Sequence, residues 1–179
     1  MIKAIELLVL TGRIDWRSMR GDPFLLWLAA MPFAYALAIR LSLPYLDAPL
    51  QQGFGIGAAD VAPLLGAGLL MLAPSCAGIV VGFLLLDERD LHVMSAIRVT
   101  PCPPSVYLAR RLFWPCLIGV AVGLLAYAVS GMPQVPLPAL LAVSIVASLA
   151  APAMALTLGA LAGNKVQGLA LLKVANVIG

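Results

Sequence analysis

The run LDERDLHVMSAIRVTPCPPSVYLARRL, Leu86 to Leu112, decides how the chain is read, because it gathers charged residues between two long apolar runs. Asp87 is placed to cap a helix whose first turn carries Glu88 and Asp90. Pro101, Pro103 and Pro104 would stop that helix after Thr100, since a residue before proline is pushed out of the helical region. Leu91, Met94 and Ile97 recur every three residues, yet Asp90 and Arg98 fall on the same arc. Such a face predicts contact with something other than lipid.

Outward from this stretch the chain is overwhelmingly apolar. Of 179 residues, 63% are hydrophobic and 11% charged, and the mean hydropathy is +1.05. Ordinary soluble domains carry roughly 25% charged residues, so a water-soluble globule is excluded. The expected fold class is all-α, a polytopic transmembrane helical bundle. About 20 apolar residues cross a bilayer core, and the spans predicted on that basis are 24–43, 61–86, 112–129 and 137–161. A fifth, 166–179, has only fourteen residues and reads as incomplete, as if the chain were cut before the helix is finished. Before the first span, Lys3, Glu6, Arg13, Arg17 and Arg20 share one arc, with Trp16 elsewhere, which predicts an interfacial amphipathic helix over residues 1–23. There is no signal-peptide pattern at the N-terminus.

Loop charges set an expected topology. Lys3, Arg13, Arg17, Arg20, Arg89, Arg98, Arg110, Arg111 and Lys165 flank the spans on one side, and only Arg40 lies on the other. Nine against one places the N-terminus and the segment 87–111 in the cytoplasm of a multi-pass membrane protein. The net charge of +3 follows from these anchors, so no nucleic-acid partner is expected. The spans hold three Gly-x-x-x-Gly pairs, Gly78 with Gly82, Gly119 with Gly123 and Gly159 with Gly163, of the kind that lets helices approach closely. The interiors of the first four spans contain no Asp, Glu, Lys or His, the usual marks of proton relays and ion-coupled pumps. Transport would then need an external energy source.

Catalytic signals are weak. Gly53-Phe-Gly55-Ile-Gly57 lacks a preceding strand and a following Gly-Lys-Ser/Thr, so it reads as a flexible loop rather than a phosphate cradle. His92 is the only histidine, and Cys76, Cys102 and Cys116 show no paired metal spacing. No metal, cofactor or disulfide is expected. Asp87, Glu88 and Asp90 could serve a membrane enzyme acting on lipid or isoprenoid head groups, but carboxylates are expected at a helix N-terminus in any case. A non-catalytic assembly protein is the remaining alternative.

Glu88-Arg89-Asp90, Arg98-Val-Thr100-Pro101 and Tyr107-Leu-x-x-Arg111 resemble the segment between spans two and three of bacterial type 2 ABC-transporter permeases. Arg20-Gly-Asp22-Pro23, Pro32 and Asn164-Lys165-Val166-Gln167-Gly168 stand at matching places, and in general appearance the chain is similar to the fluoroquinolone-exporter-like, drug-export subgroup. Leu91-His92 and Cys102-Pro103-Pro104 depart from the family pattern. The resemblance implies a permease subunit and not an enzyme. It would pair with a second permease copy and with separate ATP-binding cassette subunits, and export a hydrophobic or amphipathic compound such as a drug, lipid or glycolipid. It also implies that Asp87, Glu88, Arg89, Asp90, Arg98, Thr100 and Pro101 belong to a coupling helix that docks on the ATPase.

Overall fold

A computed structural model of the chain describes residues 17, 19–91, 104–133 and 135–178. Most of the expected interfacial helix 1–23, and the coupling-segment residues Arg98, Thr100 and Pro101, lie outside them. Among the described residues all regular structure is helical: α1 (Pro23–Phe54), α2 (Ala58–Asp90), α3 (Pro104–Ser130), α4 (Leu137–Ser148), α5 (Ala150–Leu161) and α6 (Lys165–Ile178). Four apolar stretches are long enough to cross a membrane, Pro23–Gly53, Ala58–Asp90, Tyr107–Ser130 and Leu137–Leu161. The chain is a polytopic helical bundle.

Local chemistry sets the helix ends. Asp22 caps α1, its Oδ1 accepting the Phe24 N–H at 3.0 Å, with Pro23 in the first turn, where a missing N–H costs nothing. Gly55, at φ 67°, closes α1 in the left-handed conformation that glycine adopts without a Cβ clash. Beyond residue 43, where the first span was expected to end, α1 continues through Pro44 and Pro49, and only Gly55 to Gly57 separate it from α2. Asp47 stabilises that turn by accepting the Ala58 N–H at 2.8 Å.

Leu137–Leu161 is interrupted at Leu149. Pro152 has no N–H for the carbonyl of Ser148, and its ring crowds that turn. The Leu149 N–H instead bonds the Val146 carbonyl, in a tighter turn.

The core is organised around α2, which packs against every other helix. Of its most apolar window 67% is buried, against 22–28% for the other three spans, whose outer faces are free to meet lipid. Close approach depends on small residues. A Cβ on Gly78 would collide with the Ala151 carbonyl and lie 2.7 Å from its Cα, and one on Gly119 would lie 2.7 Å from Pro74 Cα. At Gly82 the nearest atom would be Leu158 Cδ1 at 3.0 Å, whereas Gly123 has ordinary contact distances. The third pair is different. Gly159 faces open space, and Gly163 meets only the Gln167 side chain of its own turn. One hydrophobic cluster, including Leu25, Val80, Phe83 and Leu158, fills one end of the bundle, with Phe24 edge-on to Phe83 at 5.5 Å. A smaller cluster of Ala36, Ile39, Leu69, Ala126 and Met132 fills the other.

Candidate functional site

Asp87, Glu88, Arg89 and Asp90 do not open a new helix. They form the last turn of α2, and Leu91 caps it by donating to the Asp87 carbonyl at 3.0 Å. Sequence reasoning gave the carboxylates a local role at a helix start. The fold supplies partners on other helices instead, so the backbone need not break at Leu86.

Two polar clusters result. In the first, Glu88 Oε1 lies 2.7 Å from Arg111 Nη2, and Tyr107 donates its hydroxyl to Glu88 Oε2 at 2.5 Å. Tyr107 and Arg111 are one helical turn apart on α3, so both meet one carboxylate. The Arg111 side chain is only 3% exposed, and the pairing balances a charge that would be costly to bury alone. Glu88 and Tyr107 flank the segment between α2 and α3, and their bond ties together the two ends of that segment.

In the second cluster, Lys165 Nζ lies 2.8 Å from Asp22 Oδ2 and 2.9 Å from Asp87 Oδ2. One ammonium therefore links the start of α1, the end of α2 and the start of α6. Hydrogen bonding to Lys165 holds the Asp22 carboxyl below its ordinary value. Partial burial opposes the charge on Lys165, but the bonds to Asp22 and Asp87 outweigh it and raise its pKa. The turn before α6 is closed by Gln167, which accepts the Gly163 N–H at 2.8 Å, and by Asn164, which accepts the Gln167 N–H at 2.9 Å.

The two remaining acidic-run residues are less engaged. Arg89 is exposed and reaches the Ala162 carbonyl at 3.4 Å, near the limit for a hydrogen bond, and Asp90 is exposed. Tyr107, Arg111, Asp22 and Lys165 were not among the predicted contact residues. Their available signal was position: each is polar and abuts an apolar span, where a charge needs either water or a partner.

Beside the first cluster, α1, α2 and α3 enclose a cavity of about 260 Å³. Pro32 of α1 and Pro115 of α3 face it across Cys76, Ala77 and Val80 of α2, and Met19, Arg111 and Trp114 also line it. Its walls are almost wholly apolar. The indole Nε1 of Trp114 is buried and has no hydrogen-bond partner among the described residues.

Comparison with known proteins agrees with the motif order. Residues 15–179 match the model of the family described as "Fluoroquinolones export permease protein Rv2686c-like". The chain is 32% identical over 164 residues to two curated Mycobacterium tuberculosis proteins, the fluoroquinolones export permease proteins Rv2686c (strain ATCC 25618 / H37Rv) and MT2760 (strain CDC 1551 / Oshkosh). Each alignment covers 90% of this chain and 65% of the relative, so the chain spans a little under two thirds of their length. No solved structure matches it.

Proposed function

The chain belongs to the Rv2686c-like fluoroquinolones export permease family, and from that premise we propose that it is the membrane-spanning part of an ATP-driven exporter of amphipathic drugs. ATP hydrolysis is assigned to a separate cassette subunit, and the segment between α2 and α3 is the lever that subunit moves. A second permease copy completes the pathway. The observation that carries this reading is the tie of Glu88 to Tyr107 and Arg111. A coupling element transmits force only if both of its ends are anchored to packed helices, and that bond anchors them to α2 and α3. In this orientation the Asp22, Glu88 and Lys165 end of the bundle faces the cytoplasm of a bacterial inner membrane, in line with the Lys and Arg bias.

The decisive experiment expresses the protein with and without a candidate ATP-binding cassette subunit from the same organism and measures norfloxacin accumulation in energised cells. ATPase co-purification is measured from the same membranes. Lower accumulation that depends on ATP, together with a co-purifying subunit that hydrolyses ATP, is expected. Accumulation equal to that of empty cells, with no such subunit, would overturn the reading. Labelling of a Gly55→Cys probe from outside the cell, with Ser95→Cys protected, is the expected topology.

A further inference from the structure

We propose that the cavity between α1, α2 and α3 seats one acyl chain of a resident bilayer phospholipid, held lengthwise in the half of the bundle that carries the ionic clusters. The occupant is a fixed part of the membrane-embedded protein and not its cargo, so the inference stands apart from the export reading.

Shape is the first argument. The lining runs from Ala73 to Leu84 on α2 and from Arg111 to Val122 on α3, eleven steps along each helix, or about 16 Å at 1.5 Å per residue. Spread over that length, a volume of about 260 Å³ is long and narrow, the form of an extended hydrocarbon chain. It also lies along the helix axes, as lipid tails do. Depth agrees, because a bilayer core is about 30 Å thick and the cavity is about half as long. On α2 the lining starts near the middle of Ala58–Asp90 and stops one turn short of Glu88, and on α3 it starts at Arg111. The cavity therefore occupies one leaflet, with the ionic clusters at the level of its head groups.

Access is the second argument. Ile118 lines the cavity, is 47% exposed and lies midway along Tyr107–Ser130. One edge of the cavity thus reaches the outer face of α3, where lipid is the solvent. Cys76 and Val80, only 4% and 5% exposed, form its back wall on the core helix.

Wall chemistry is the third. Ala29, Pro32, Cys76, Val80 and Pro115 present apolar surface from three helices, and the charge of Arg111 is matched by Glu88 at 2.7 Å. Water would find few hydrogen-bond partners along such walls, and an empty cavity would forfeit dispersion contacts that a methylene chain makes.

The test uses the purified protein in phosphatidylcholine nanodiscs in which a fraction of the lipid carries a diazirine in the middle of one acyl chain. After illumination, cross-linked residues are mapped by peptide mass spectrometry. Cross-links are expected at Cys76, Ala77 or Val80 of α2, which lipid around the bundle does not reach, as well as at Leu125 on the exposed face of α3. Ala77→Phe fills the cavity from α2, and Ile118→Trp narrows its mouth from the exposed side. Each is expected to lose the α2 cross-links and keep those at Leu125, with a size-exclusion profile matching the parent protein. No α2 cross-link in the parent, as when a second copy or another part of the chain fills the cavity, would overturn the inference. So would α2 cross-links that survive both substitutions. Loss of the parent's α2 cross-links in excess norfloxacin would make the cavity a cargo path and overturn the assignment to a resident lipid.

Discussion

At the end of the bundle where Asp22, Glu88 and Arg111 lie, charged side chains bond to one another across helices far apart in sequence. Lys165 reaches Asp87 over 78 positions and Tyr107 reaches Glu88 over 19. At the opposite end, where α1 turns into α2, polar side chains serve mostly the nearby backbone. Asp60 accepts the Gly57 N–H three residues away at 2.9 Å, and Asp47 accepts that of Ala58 eleven residues away. Arg40, which donates to the Val129 carbonyl at 3.2 Å, is the long-range contact there. The difference teaches that one end is a turn closed by local caps, while the other is a junction where three or more helices share charges. A junction can pass a displacement between helices, and a capped turn chiefly holds its own geometry.

The largest expected effect breaks the junction at its most buried point. Glu88→Ala removes the carboxylate that pairs with the buried Arg111 guanidinium and accepts from Tyr107, and loss of one partner of a buried pair costs about 3 kcal/mol or more. The expected result is a marked fall in thermal stability in nanodiscs, with Glu88→Gln in between because it can still accept from Tyr107. A Glu88→Ala protein as stable as the parent would remove the junction's special status.

A smaller effect is expected at the half-exposed Lys165 clasp, where exposed pairs contribute only roughly 0–1 kcal/mol each. Lys165→Met should cost about 1 kcal/mol and loosen α6 first, which hydrogen exchange over 165–173 would detect. The pH dependence has a definite sign. Asp22 is held below its ordinary 3.8, so its contribution is present above that value and is lost as pH falls through the lowered one. Lys165 is raised above 10.5, so its contribution is present below that value and is lost as pH rises through the raised one. The difference between the parent and Lys165→Met should therefore be level from about pH 5 to 9 and shrink at both extremes. A difference that changes steadily across that window would contradict the clasp.

The smallest effect belongs to the opposite end. Asp47→Ala removes an acceptor from the exposed α1–α2 turn and should cost about 1 kcal/mol or less, with efflux at the parental level. If Asp47→Ala impaired efflux as strongly as Glu88→Ala, the contrast between the two ends would fail.

How much of this was legible in the residues differs by feature. The helical class and the four membrane-length stretches follow from apolar run length, because lipid leaves backbone groups no partner outside a helix or a closed barrel. The motif pieces that carried the family resemblance, around Asp22, Glu88, Tyr107, Arg111 and Lys165, were also visible, and the fold brings them to one end of the bundle. Their pairing was not legible, since nothing local tells Glu88 to choose Arg111 over Arg89 beside it. The prolines did not by themselves mark helix ends. Pro44 and Pro49, beyond the expected span 24–43, lie within α1, whereas Pro152, inside the expected span 137–161, accompanies the break at Leu149.

By itself the sequence determined that this chain is a membrane helical bundle with its charge gathered at the span ends. Only the tertiary structure decided where α2 stops, which glycines touch a neighbouring helix, and that Arg111 joins an ion pair to the wall of a cavity. The reason is physical. Span formation depends on hydropathy summed over some 20 consecutive residues, a quantity the chain carries in one dimension. A buried charge pair or a collision-free glycine depends on atoms a few ångströms apart in space, contributed by residues that the sequence separates by tens of positions.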